Sequence, residues 1–205
     1  MKKIIIKSAF LLALFAGLLT SCVQDDDTAL PETRVPFFTE DFDIPASTIL
    51  AIPGWTNYAE AGTIRWSART FSGDGYAQFN TFGGTDAVNV GWLVSPAIDI
   101  TEGQNPKFTF RSAQNFVTSA NNKLEVFVST DYNGTDVSTA TWTKMNAIVA
   151  NQNTVGYVYV NAGAIDLSPF QGGIIHIGFK ATGSGSNTAL DGLFQVDGLH
   201  VYSSK

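Results

Sequence analysis

The sequence predicts an all-β fold, a sandwich of two antiparallel sheets, and three observations support this prediction. Short runs of alternating apolar and polar residues recur along the chain, among them 64–69, 107–111, 123–129 and 175–180. Gly, Asn, Asp and Pro separate these runs, as they do in proteins with many tight turns. No segment has the apolar periodicity of a long amphipathic helix. Alternation with a period of two means that each strand buries one face, which is typical of a sandwich.

Residues 1–21 are predicted to be a signal peptide. Lys2 and Lys3 form a basic start, and the apolar stretch that follows runs from Ala9 to Leu19. Such a stretch is shorter than the roughly 20 helical residues needed to cross a bilayer. It ends in LTSC (19–22), which matches the lipobox of bacterial lipoproteins, where cleavage precedes an acylated cysteine. We therefore expect lipid attachment at Cys22; an ordinary signal peptide followed by a chance cysteine is the alternative.

Residues 22–36 are predicted to be the lipidated cysteine and a flexible acidic tether, followed by one domain over 37–205. The tether is polar and acidic and is interrupted by Pro31. Its run Asp25-Asp26-Asp27 resembles the acidic export signal of Bacteroidetes-type surface lipoproteins. We therefore expect an outer-membrane protein displayed on the cell surface; a solvated linker at the periplasmic face is the alternative.

The charge of the chain argues against nucleic acid as a partner. The formal net charge is −6 at pH 7, and it becomes more negative once the lysines of the signal peptide are removed. No basic stripe offsets it, so the surface would repel a phosphate backbone. Cys22 is the only cysteine, which excludes an internal disulfide and a zinc site built from thiolates.

The last apolar segment poses a register problem. Phe194 and Val196 fall on one parity, whereas Leu199 and Val201 fall on the other. One extra residue at Asp197-Gly198, a β-bulge, would bring all four apolar side chains to the core and re-aim the carboxylate. A turn that ends the strand is the alternative.

Three acidic residues lie within FTEDFD (38–43), next to the first predicted strand. If the first and last strands pair, this group would lie beside Asp197. Oxygen ligands from the two ends of the chain suit Ca²⁺, which would clip the ends together. A solvated acidic strand edge explains the same residues.

Catalytic chemistry finds little support. His176 and His200 both fall within strand-like runs, no Gly-x-Ser-x-Gly turn occurs, and no glycine loop opens a helix. A glycosidase needs two carboxylates across a sugar, and most acids here lie in turns. We therefore expect a protein that is not an enzyme.

Sugar binding would need exposed aromatic rings beside polar groups, because a pyranose stacks its C–H face on a ring. Trp66 and Trp92 lie in strand patterns, so we expect both in the core. Tyr76, Phe82 and Tyr132 lie beside Gly-rich loops and are expected to be exposed. Together with Trp142 they are the candidate ligand-binding residues.

Short segments spread over residues 37–203 carry a family resemblance: FTEDF (38–42), GW (54–55), the Trp66 strand, WLVSPAIDI (92–100), VSTDYNG (128–134), ATW (140–142), IDLSPFQGG (165–173), IGFK (177–180) and FQVDGLHV (194–201). They resemble the choice-of-anchor J domain, a relative of the cleaved adhesin domain of Bacteroidetes. The resemblance implies a jelly roll, similar to MAM and galactose-binding-like domains, that binds glycans or proteins without catalysis. It also implies structural Ca²⁺ at Glu40, Asp43 and Asp197, although Gly198 stands where the family often has a further ligand.

Taken together, these features predict a non-catalytic surface lipoprotein whose jelly-roll domain binds an extracellular ligand, with a glycan favoured. Loops 74–76, 81–87, 131–142 and 182–192 are expected to form the binding rim. An adhesin or accessory protein–protein interaction subunit of an outer-membrane complex is the alternative, and a glycan hydrolase is less favoured. We expect a monomer that contacts the membrane through its lipid alone.

Overall fold

The computed structural model describes residues 34–204, which form two antiparallel sheets packed face to face. The predicted all-β jelly-roll sandwich is thus confirmed. In chain order the strands are β1 (Arg34–Glu40), β2 (Thr56–Ala61), β3 (Ser67–Phe71), β4 (Asp74–Asn80), β5 (Asn89–Val94), β6 (Ile98–Asp99), β7 (Pro106–Asn115), β8 (Lys123–Ser129), β9 (Thr143–Lys144), β10 (Val160–Asn161), β11 (Ile165–Asp166), β12 (Ile174–Gly183) and β13 (Leu193–Ser204).

The first sheet has the order β10-β7-β13-β4-β3, with β1 also paired to β13 and β11 also paired to β7. The second sheet has the order β2-β5-β12-β8-β9, with β6 paired to β12. One 3-10 turn, Ser168–Phe170, precedes β12, and no helix among the described residues is long and apolar enough to cross a membrane. The expected signal peptide, the lipid on Cys22 and most of the tether lie outside the described residues.

The core lies between the two sheets and is filled by the apolar side chains on the inward face of each strand. Side chains that are buried almost completely include Trp66, Phe79, Phe110, Phe179 and Phe194. The rings of Phe110 and Phe179 meet edge to face across the core, with centroids 5.0 Å apart. The expectation that Trp66 and Trp92 are core residues is confirmed, although Trp92 belongs to a smaller apolar cluster of its own.

The β-bulge in β13 is confirmed. The pairing of β13 with β7 shifts between Asp197 and His200, and Gly198 adopts a φ of 59° in the left-handed region. All four apolar side chains flanking the bulge are consequently buried: Phe194, Val196, Leu199 and Val201. The two ends of the described chain also pair, since β1 runs antiparallel to the second half of β13.

Gly91 in β5 lets the ring of Phe79 pack directly against the backbone. A Cβ atom at Gly91 would lie 2.2 Å from a carbon of that ring, and the carbonyl of Gly91 accepts a hydrogen bond from Trp66 Nε1 (3.1 Å). The aromatic packing at this place in the core therefore requires a residue without a side chain.

Gly91→Ala is expected to lower the free energy of unfolding by about 1–3 kcal/mol, because Phe79 has to move within a close-packed core. Chemical denaturation followed by tryptophan fluorescence measures this change. Gly173→Ala is the matched control, since a Cβ there meets only a carbonyl oxygen at 3.8 Å. Equal stability of the two variants would contradict the proposed packing.

Candidate functional site

The structure places the expected calcium ligands in separate hydrogen bonds. Glu40 accepts the backbone N–H of Phe42 at one carboxylate oxygen (2.9 Å) and the indole N–H of Trp55 at the other (3.2 Å). Asp43 accepts the backbone N–H of Gly75 (2.9 Å). These bonds fix the corner that follows β1, so both carboxylates have a structural role in the fold as it stands.

Asp197 is buried and bonded to a cation of the protein itself. Arg111 donates from Nε to Asp197 (2.7 Å) and from Nη2 to Asp74 (2.7 Å), and Nη2 also contacts Asp197. The backbone N–H of Gly198 donates to the second Asp197 oxygen (2.6 Å). Burial raises the pKa of Asp197, and the bonds from Arg111 act in the opposite direction. The carboxylate re-aimed by the bulge therefore holds the Arg111 guanidinium.

This arrangement does not favour a shared calcium ion. Within the described residues, no group of three or more His, Cys, Asp or Glu side chains is positioned to hold a metal. Asp197 is bonded to Arg111, and the two oxygens of Glu40 accept hydrogen bonds from Phe42 and Trp55. The calcium site stays a prediction.

A cleft opens on the outer face of the first sheet, directly above the Arg111 network. Its volume is about 460 Å³, within the range of roughly 300–1,000 Å³ typical of small-ligand sites. We call it the first cleft, and its lining residues are Phe71, Asp74, Tyr76, Tyr157, Tyr159 and Gln195.

One wall and part of the floor come from the β3–β4 hairpin. Phe71 precedes the turn at Ser72-Gly73 and projects into solvent, with 74% of its surface exposed. Tyr76 lies on the outer parity of β4, because its neighbours Gly75 and Ala77 lie on the buried parity. Strand pairing thus sets the position of both rings.

The opposite wall is a loop that crosses the edge of β7. Gln114, which is buried, donates from its side chain to the carbonyl of Thr154 (2.6 Å), and its own carbonyl accepts the N–H of Tyr157 (2.7 Å). Tyr159, two residues further on, packs its ring 4.6 Å from the Arg111 guanidinium carbon. Both tyrosines are therefore held by contacts to β7.

The two tyrosines nearest the floor are neutral hydrogen-bonding groups. Burial raises the pKa of Tyr159, and the Asp197 carboxylate raises it further. Burial also raises the pKa of Tyr76, with Tyr157 adding to the shift and Arg69 opposing it. The Tyr159 hydroxyl is buried and has no hydrogen-bond partner within the described residues. Since both phenols stay protonated at neutral pH, each can donate as well as accept.

The candidate ligand-binding residues fall in different places. Tyr76 lines the first cleft, and Phe82 is exposed on the same side of the molecule. Tyr132 is buried, with 6% of its surface exposed, so the expectation that it is an exposed loop residue was wrong. It packs with the half-buried Trp142 and with Trp92, because loop 130–142 covers the outer face of the second sheet.

Sequence reasoning missed most of the first cleft: Phe71, Tyr157, Tyr159 and Gln195. The local signal was weak, because the spacing of Tyr157 and Tyr159 would place both rings on one side only in an extended segment, whereas Tyr157 lies in a turn. Nothing local indicates that this segment crosses to meet β4. That placement depends on Gln114, which lies forty residues away from Thr154 in the chain.

Comparisons with solved structures show likeness in fold. The K1 cleaved adhesin domain of Lys-gingipain from Porphyromonas gingivalis W83 is 16% identical, with a TM-score of 0.54 over 82% of this chain and 98% of that domain. The K3 domain is 15% identical, with a TM-score of 0.52 over 83% and 99%. The mannan-recognising module TmCBM27 is 15% identical, with a TM-score of 0.48 over 86% and 100%. No protein-family model and no curated protein sequence matches the chain.

Asp197→Asn is expected to lower the free energy of unfolding by about 1–3 kcal/mol, because it weakens the charge-assisted bonds that this buried side chain makes with Arg111. Asp74→Asn removes the exposed partner of the same guanidinium and is expected to cost less than about 1 kcal/mol. Urea unfolding of both variants measures the difference. Equal losses would show that the buried carboxylate does not anchor Arg111.

Proposed function

We propose that the protein is a non-catalytic module that binds a glycan in the first cleft. The observation that carries the proposal is the pairing of exposed rings with polar groups at one place. Phe71 and Tyr157 offer apolar faces on which the C–H face of a pyranose can stack. Asp74 and Gln195 line the same cleft and offer polar groups for the hydroxyls of the sugar.

The carboxylates of the first cleft support binding without hydrolysis. Glycosidases use two carboxyl groups that flank the scissile bond. Among the described residues that line the cleft, Asp74 is the one acid, and it is paired with Arg111. Asp197 is close to the floor but is buried beneath Arg111. Neither group is placed as a member of a pair across a bound sugar.

Tyr76→Ala and Tyr157→Ala are each expected to weaken glycan binding about tenfold or more. Tyr76→Ala removes a hydrogen-bonding phenol and Tyr157→Ala a stacking face, and a loss of about 1.4 kcal/mol corresponds to that factor. An array of plant, host and microbial polysaccharides identifies ligands, and calorimetry then measures the affinities. Ile174→Ala, an exposed apolar change in the second sheet, is the control and should leave binding unchanged. Unchanged affinity in both tyrosine variants would contradict the assignment of the cleft.

An adhesin that binds a protein is the second candidate. The observation in its favour is an exposed apolar group beside the cleft, formed by Val155, Tyr157 and Val158. Crosslinking in intact cells would then recover one defined protein partner, and recovery would be lost in Val155→Ser/Val158→Ser. The first-cleft variant Tyr76→Ala would still recover that partner.

We propose further that the module is anchored by lipid at Cys22 in the outer membrane and displayed on the cell surface. The segment LTSC (19–22) and the following Asp25-Asp26-Asp27 support this placement. Two or more acyl chains give a stable anchor, whereas one gives marginal binding.

Cys22→Ser is expected to abolish incorporation of radiolabelled palmitate and to move the protein out of the membrane fraction. Replacing Asp25, Asp26 and Asp27 by Asn should leave the label in place but protect the protein from protease added to intact cells, because the export signal is lost. Palmitate labelling of Cys22→Ser, or digestion of the triple variant at the wild-type rate, would contradict the corresponding proposal.

A further inference from the structure

A second cleft adjoins the first, with a volume of about 590 Å³. It is lined by Asn80, Phe82, Phe116, Thr118, Tyr157, Thr188, Asp191 and Leu193. Tyr157 lines both clefts, so they form one continuous surface around its ring. Phe82 and Phe116 add two further exposed rings, at 73% and 69% exposure.

Two of these rings are held by strained backbone. Phe116 has a φ of 61° and Tyr157 a φ of 60°, a left-handed conformation that bulky residues rarely adopt. The buried Gln114 ties down both segments, since its side-chain oxygen accepts the N–H of Val117 (3.0 Å) and its carbonyl accepts that of Tyr157. Strain of this kind persists only where the surroundings impose it, and it is concentrated at functional sites.

A third depression, of about 360 Å³, continues from the second cleft. Asn80 and Phe82 line both, and the depression also contains Arg65 and Arg69. We call it the arginine depression. Arg69 is directly opposite Tyr76 in the β3–β4 pairing, so the depression also borders the first cleft.

Arg65, which lies just before β3, and Arg69 on β3 differ from Arg111 on β7. The Arg111 guanidinium is bonded to two aspartates, whereas the guanidinium groups of Arg65 and Arg69 form no ion pair or hydrogen bond within the described residues. Two unpaired guanidinium groups stand out in a chain of net charge −6. Their planar donor forks match the geometry of a carboxylate or a sulfate.

We propose that the first cleft, the second cleft and the arginine depression together bind an extended segment of an acidic polysaccharide. This inference rests on the proposed glycan-binding function and adds the chemical class of the ligand. The aromatic rings stack on the sugar rings, and Arg65 and Arg69 bond the anionic substituent. The anionic substituent is either the planar carboxylate of a uronic acid or the tetrahedral sulfate of a sulfate ester, and both present oxygen atoms that guanidinium groups bind.

The charge of the second cleft orients the ligand. Asp191 lines this cleft, whereas Arg65 and Arg69 do not, and its carboxylate would repel an anionic substituent there. Its carboxylate can instead accept hydrogen bonds from the hydroxyls of an uncharged sugar unit. The acidic unit is therefore placed at Arg65 and Arg69, with uncharged hydroxyls facing Asp191.

Arg65→Gln/Arg69→Gln is expected to weaken binding of the purified full-length protein to an acidic polymer at least tenfold. The probes are polygalacturonate for carboxylate, dextran sulfate for sulfate and dextran as the neutral polymer, each measured by affinity electrophoresis at two salt concentrations. The salt dependence of acidic-polymer binding should also fall, because two charge contacts are lost. Lys107→Gln/Lys123→Gln, which removes the same charge elsewhere and leaves Glu125 paired with Lys144, is the control and should bind like the wild type.

Loss confined to polygalacturonate or to dextran sulfate supports the proposal and identifies the anion. Wild-type binding to dextran as tight as to both acidic polymers, or undiminished binding by the double arginine variant, overturns it. In those two cases Tyr76→Ala would still weaken binding, so the proposed function would stand. Absence of binding to every polysaccharide tested would overturn both.

Discussion

The β-bulge in β13 determines how the first sheet is assembled around the core. This strand lies in the middle of the first sheet and pairs with β7 along its length, with β4 at its first half and with β1 at its second. A regular strand could bury the apolar residues of only one half. The extra residue at Gly198 lets both halves face the core, so the sheet can hold the two ends of the described chain together.

The same β-bulge positions the residues that form the floor of the first cleft. Asp197 is held by the N–H of Gly198 and in turn holds Arg111, over which Tyr159 packs. The walls are held by backbone pairing on one side and by Gln114 on the other. Because the backbone of both walls and the ring of Tyr159 are held by protein contacts, little backbone entropy would be lost there when a ligand binds. A cleft with rigid walls selects a ligand by shape as well as by hydrogen bonding.

Most of the fold could be predicted from local patterns in the sequence, whereas most of the candidate site depends on contacts between residues far apart in the chain. Alternation in runs such as 107–111 predicted the strands, and the parity change across Asp197 suggested the bulge, because both are properties of a single segment. The burial of Tyr132 and the wall at Tyr157 depend on loops that lie across sheets. Local periodicity does not indicate which face of a sheet a loop covers. The sequence therefore predicted that Tyr132 is exposed, although it is buried, and did not identify Tyr157, which is exposed.

A protein with a negative net charge can bind a negatively charged ligand, because salt limits the distance over which exposed charges interact. Salt limits the reach of a surface charge to about 8 Å under physiological conditions, so the net charge opposes approach at a distance but contributes little once groups are in contact. Arg65 and Arg69 form no direct ion pair with a carboxylate among the described residues, whereas Arg111 is neutralised by two. Short-range fork bonds and stacking would then determine affinity, and long-range repulsion would slow association. Under the proposed function, an acidic polymer would be bound where the two arginines meet the aromatic rings and repelled by the remaining acidic surface.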